Sequence, residues 1–182
     1  MSNIRILGIS GSLRKASHNR GLIRAAQALF PSDVTFEIGE IGDLPHFSED
    51  LEPDFPAEVR SFRDSIERAD AVLIALTEYN HSISGVLKNA IDWASRPPKM
   101  LRGKRLFLMG AATGESGTIR AHEHMVQISF YPGMVLDAGV RLFVQRSRGK
   151  FDSDGNLIDE ATREQLRKLV DHIIATVRAA KS

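Results

Sequence analysis

A chain of 182 residues is long enough to bury a sizeable core as one domain, and its formal net charge of +1, with Lys and Arg scattered along it, calls for neither nucleic acid nor an anionic membrane. There is no cysteine, which excludes disulfides, thiolate metal sites, iron–sulfur clusters and thiol redox chemistry, so any redox work falls to a bound cofactor. No apolar stretch approaches the ~18 residues of a membrane span, and a cytoplasmic protein is expected.

The first element is a buried parallel strand at Ile4, Ile6, Leu7 and Ile9, closed by Gly8, Ser10 and Gly11. The turn that follows carries Ser10, Ser12 and Ser17 with Arg14, Lys15 and Asn19, and no carboxylate. Ser17 or Asn19 would cap the next helix, whose free N–H groups and positive dipole end then point back into the turn. That is a phosphate cradle; the competing reading is that strand-to-helix turns collect Ser, Gly and Asn as ordinary turn formers. Spacing rules out both GxxxxGK[ST] and a complete GxGxxG.

Helix one is expected from Asn19 to about Phe30, stopped by Pro31, and VTFEI at 34–38 alternates like a strand at or near a sheet edge. Residues 39–56, with Pro45, Pro53 and Pro56, read as a long irregular loop. A helix from Pro56 to about Ala69 precedes AVLIAL at 71–76, an uninterrupted apolar run and the most buried strand. The turn TEYNHSIS at 77–84 leads to a helix over Gly85–Ala94, in which Trp93 reads as interface or core rim. Strand four is expected at Leu106–Met109, the turn GAATGESGT at 110–118, a helix over Ile119–Tyr131, strand five at Val140–Val144, and a last helix from about Glu160 to Ala180. FDSDGNLID at 151–159 reads as an Asp-Gly turn and not as a calcium loop.

Five strands alternating with five helices predict an α/β domain spanning 1–182, with ligands bound beyond the carboxyl ends of the strands. Three turns leave such ends: 10–19 for phosphate, 77–84 with an aromatic face and an amide at Tyr79 and Asn80, and 110–118 with backbone N–H groups near Gly114 and Gly117. A planar heterocycle with a phosphate tail needs all three, and FMN meets that description. Glu78 is either a general base, a cap for the Gly85 helix or a solvent-facing carboxylate. Tyr79 alone would more simply be packing with a wet hydroxyl. His122 and His124, two apart, do not share a helix face and read as surface or interface residues instead of a metal pair. No G-x-S-x-G elbow is present.

With GSLRKASHNR at 11–20 and EYNHSISGVLKNAIDWASRP at 78–97, the sequence resembles the NADPH-dependent FMN reductase family, which includes quinone and chromate reductases. The resemblance implies a flavodoxin-like three-layer sandwich with a five-stranded parallel sheet of order 2-1-3-4-5. It implies that Ser12, Arg14, Ser17, His18 and Asn19 hold the FMN phosphate and ribityl chain. Glu78, Tyr79, Asn80 and His81 would border the ring, and Thr113, Gly114 and Gly117 would approach its polar edge. It further implies NAD(P)H as co-substrate, a quinone, free flavin or similar small-molecule acceptor reached by a ping-pong hydride mechanism, and a homodimer or homotetramer. Trp93, Met125, Phe130 and Tyr131 would supply apolar contact between subunits. Thr77 and Ser84 stand where the family usually has proline, which would relax the second turn and, at Thr77, add a hydroxyl near the ring, and Glu115 places a negative charge near the expected nicotinamide-nucleotide phosphate. Two other readings stay open: a non-enzymatic flavodoxin-like electron carrier, against which the near-neutral charge weighs, and an α/β protein for another phosphorylated ligand.

Overall fold

Along Ala71–Leu76 every residue is buried, so this strand lies under covering layers on both sides. The structure, a computed structural model, describes residues 4–181. In chain order its elements are β1 (Ile4–Ser10), α1 (His18–Leu29), β2 (Val34–Gly39), a 3-10 helix (Glu49–Asp54), α2 (Ala57–Arg68) and β3 (Ala71–Leu76). They continue with β4 (Glu78–Tyr79), β5 (Ser82–Ile83), α3 (Gly85–Ala94), β6 (Arg105–Ala111), α4 (Ile119–Ser129), β7 (Val135–Leu136), β8 (Leu142–Val144) and α5 (Glu160–Lys181).

The main sheet runs β2-β1-β3-β6, with β7 and β8 both on β6, and every pairing in it is parallel. This is the flavodoxin-like order 2-1-3-4-5, with the fifth position filled by two short pieces. Side chains of a strand alternate between faces, and the alternation sorts the core into two halves. Leu7, Ile9, Val72, Ile74, Leu106 and Leu108 pack with Phe62 of α2, Leu87 of α3 and Met125 of α4. Ile6, Leu73, Ala75, Phe107 and Met109 pack with Leu22 of α1 and Leu169 of α5. The result is the expected three-layer sandwich. The alternating VTFEI does lie at the sheet edge, as β2.

Four expectations are corrected. The fifth strand is not continuous over 140–144: Leu142–Val144 pairs with the end of β6 and Val135–Leu136 with its start. Between them the Asp137 carboxylate accepts from Gly139 N–H at 2.9 Å and meets His172 Nε2 at 2.8 Å, holding the backbone out of the ladder. Trp93 is core, not rim: loop 39–56 folds over it, with its indole N–H donating to Pro45 O at 2.8 Å and Phe47 and Phe55 edge-on to its ring. Met125 is likewise fully buried, so neither residue is available to a second subunit. His122 is not a surface residue either; it lies 1% exposed against Phe143, its ring Nδ1–H on Thr118 O at 2.8 Å, while His124 is exposed.

Candidate functional site

The first turn is held from three directions. Gly11 N–H donates to Ala75 O of β3 at 2.9 Å, and the Ser84 hydroxyl donates to Gly11 O at 2.6 Å. Ser17 caps α1 as expected, accepting from Asn19 N–H at 3.2 Å. From below comes the 152–156 turn, in which the Asp152 carboxylate accepts the N–H groups of Asp154 and Asn156 at 3.0 and 2.7 Å. Its Gly155 (φ +77°) presses so closely that a Cβ there would lie 2.7 Å from the Ala16 backbone, and one on Gly21 would lie 1.9 Å from Gly155 O. The FDSDGNLID segment is therefore a buttress for the first turn.

The second turn is a small hairpin of β4 and β5. Asn80 and His81 at its tip have φ of 51° and 63°, the left-handed pair of a type I′ turn. Glu78 neither faces solvent nor caps α3. Its carboxylate, 10% exposed, accepts from Ala121 N–H at 3.1 Å and so caps α4, with Arg120 at 3.9 Å. Ser82 Oγ and His124 Nδ1, 2.6 Å apart, tie the hairpin to the same helix. The third turn is extended by the chain after β8: Arg146 N–H donates to Gly114 O at 3.0 Å and Ser147 N–H to Ala112 O at 3.1 Å. Glu115 is paired with Arg146 at 2.6 Å, so the charge expected near a nucleotide phosphate is largely offset.

The three turns meet in one open crevice with about 190 Å³ of space at the ends of β1, β3 and β6. Ser12, Arg14, Ser17, His18 and Asn19 line it from the first turn, Glu78 and Tyr79 from the second, and Thr113 from the third. Asn80 and His81 sit at the exposed hairpin tip outside the lining, Gly114 lies just beyond Thr113, and Gly117 (φ +61°) is buried behind the turn against Gln145 and Phe143. Four further residues line it, Thr77, Ser147 and, at the end of β6, Ala111 and Ala112. Ser147 follows the fifth strand, where the strand-end rule applies, but the basic run around it hid the signal. Thr77 directly follows the central strand β3, where the sequence places a hydroxyl near the expected ring.

Asn19 is the clasp of this crevice. Ala111 N–H donates to its Oδ1 at 2.8 Å, while its Nδ2 donates to Thr77 Oγ1 at 3.1 Å and Ala111 O at 3.2 Å. One buried amide thereby joins the start of α1 to the ends of β3 and β6. His18 stacks on Phe151 at 4.4 Å and places Nδ1 2.9 Å from Ser147 Oγ. Burial, and then the Arg14 guanidinium, lower its pKa, which favours the neutral ring. A larger hollow, about 480 Å³ between β2 and α2, is walled by Glu37, Glu40, Asp43 and Glu58. Although Glu40 and Glu37 pair with Arg20 and Arg68 at 3.0 and 3.3 Å, this acidic wall suits a phosphate less well than the carboxylate-free first turn.

The model of the NADPH-dependent FMN reductase family matches residues 4–145 of the chain. A 2-hydroxy-1,4-benzoquinone reductase from a Burkholderia species is 38% identical over 177 residues, covering 96% of this chain and 97% of that protein. An NAD(P)H:quinone oxidoreductase from Solanum tuberosum is 41% identical over 174 residues, covering 92% and 89%. Among solved structures, the flavoenzyme NAD(P)H:(acceptor) oxidoreductase FerB from Paracoccus denitrificans superposes with a TM-score of 0.87 at 34% identity, over 97% of this chain and 98% of that one.

Proposed function

The chain belongs to the NADPH-dependent FMN reductase family, an NAD(P)H-dependent oxidoreductase with FMN as cofactor, and from that premise we propose that residues 1–182 form one flavodoxin-like domain that carries hydride equivalents from NAD(P)H to quinones, free flavin or similar acceptors in a ping-pong cycle. The observation that carries this reading is the convergence of Ser12, Tyr79 and Thr113 on one crevice.

The residues present fit FMN. The first turn would hold the phosphate, since the N-terminus of α1, the hydroxyls of Ser12 and Ser17, Arg14 and His18 all favour an anion. Asn19 serves through geometry, since its amide already holds the strand ends. Tyr79 and the backbone of Thr113–Gly114 would border the ring, with the Asn80–His81 tip at the rim and Gly117 supporting the third turn. The Glu78 carboxylate is engaged by Ala121 N–H at the start of α4, which turns it away from a role as a free base beside the ring. Bound FMN supplies hydride acceptance and electron delivery at its ring, so the protein contributes position and an open face.

The crevice is smaller than the roughly 300–1,000 Å³ of enclosed ligand pockets, and Tyr79 at its rim is 59% exposed. Nicotinamide and acceptor then use one open face in turn, which is the reason to expect ping-pong order. A crevice this shallow also fits completion by a second copy. Phe130 and Tyr131, 77% and 66% exposed at the end of α4, are apolar material for a homodimer or homotetramer.

Anaerobic addition of NADPH or NADH to the FMN-loaded protein should bleach the flavin band with release of oxidised nucleotide, and benzoquinone should then restore it. Parallel double-reciprocal lines are expected at varied quinone. Intersecting lines would overturn the ping-pong order, and failure to bleach with either nucleotide would overturn the enzyme reading in favour of a carrier.

A further inference from the structure

Thr77 lies on the floor of the crevice, 7% exposed, at the end of the strand central to the sheet. Its hydroxyl has one proton to give and lone pairs to receive with. Which of these Asn19 uses is fixed by the backbone. Ala111 N–H can only donate, so the atom of the Asn19 amide facing it at 2.8 Å must be Oδ1, and the atom facing Thr77 at 3.1 Å must be Nδ2. Thr77 Oγ therefore accepts from Asn19, and among the described residues no acceptor receives the Thr77 proton. A nearly buried hydroxyl with its proton uncommitted, locked by a second residue and lining a ligand crevice, is a directed donor.

We propose that Thr77 donates this proton to an acceptor on the polar edge of the FMN ring and thereby sets the reduction potential of the bound cofactor. The inference rests on the reading that this crevice seats FMN. Reduction adds electron density to the carbonyl and nitrogen acceptors of that edge, and a fixed donor aimed at growing negative charge binds the reduced ring more tightly than the oxidised one. The consequence is a shift in driving force: a better electron sink toward NAD(P)H and a weaker donor toward poor oxidants.

The test is the midpoint potential of bound FMN, from reductive titration against reference dyes, together with FMN affinity from fluorescence quenching. In Thr77→Val the preference for reduced over oxidised FMN should fall about tenfold, a two-electron potential about 30 mV lower. Thr77→Ser, which keeps both the donor and the acceptor for Asn19, should stay close to the wild type. Thr77→Cys, near the same size with a weak donor, should shift in the direction of Val by less, and it decides the matter if the Val variant does not fold or load. If the wild type binds no FMN, the placement of the cofactor fails. If it binds FMN and the Val or Cys variant keeps the wild-type potential or raises it, the role of Thr77 is overturned while that placement stands.

Discussion

His122 is buried beneath the third turn, its ring 4.2 Å from that of Phe143, and burial lowers its pKa to about 4, with the carbonyls it bonds only partly opposing the shift. In the unfolded chain the same imidazole takes up a proton near its ordinary 6.5. Between these values the unfolded state binds more protons, so stability is complete above pH 6.5 and is lost as pH falls toward 4. The span corresponds to about 3 kcal/mol. Urea unfolding across that range should show the loss, and His122→Phe should flatten the slope; an unchanged slope would contradict the buried neutral ring. His18, lowered for the same reason, adds to the wild-type slope. Asp137, Asp152 and Asp159 are held below their ordinary 3.8 and act at more acid pH. Residue-level burial of this kind was hard to read from the chain. The position of His122 on α4 is local, but its burial depends on Phe143, which arrives from another strand. Trp93 escaped for the same reason, because Pro45, Phe47 and Phe55 come from a loop with no periodicity to place them.

At the scale of elements, the first turn owes its shape to what lies under it. Gly21 is in the first part of α1, and an added Cβ would meet the carbonyl of Gly155 at 1.9 Å, backbone against backbone, so relief requires the buttress or the helix to move. Gly21→Ala should destabilise by about 1–3 kcal/mol or more and weaken FMN binding with it. Gly114→Ala in the third turn is the contrast: a Cβ there has nothing within 4 Å, and thermal melting should stay near that of the wild type. Equal melting temperatures for both variants would contradict the buttress. The elements that were legible are those whose signal is local. AVLIAL announced a strand buried on both faces, Ser17 a helix cap, and Pro31 a stop. The fifth strand was not legible, because its interruption comes from the Asp137–His172 contact with a helix distant in sequence. The hairpin tip was also missed, since Asn80–His81 is an unusual pair for a type I′ turn.

Across the whole molecule, the alternation of apolar residues sorts α2, α3 and α4 to one face and α1 and α5 to the other, and the sheet order brings three strand ends to one switch point. The sequence marked these turns as separate unusual stretches, and their union followed from the parallel order it implied. What it did not reveal was the agent of that union, the Asn19 amide joining β3 and β6 to α1. The central claim is that this one crevice grips a ring and a phosphate together, and comparing FMN with riboflavin in equilibrium fluorescence titrations tests it most directly. An anion at a helix N-terminus with charge-assisted hydrogen bonds contributes about 3 kcal/mol, so FMN should bind about 100-fold tighter than riboflavin, one per chain. Equal affinities for the two, or no binding of FMN, would contradict the account.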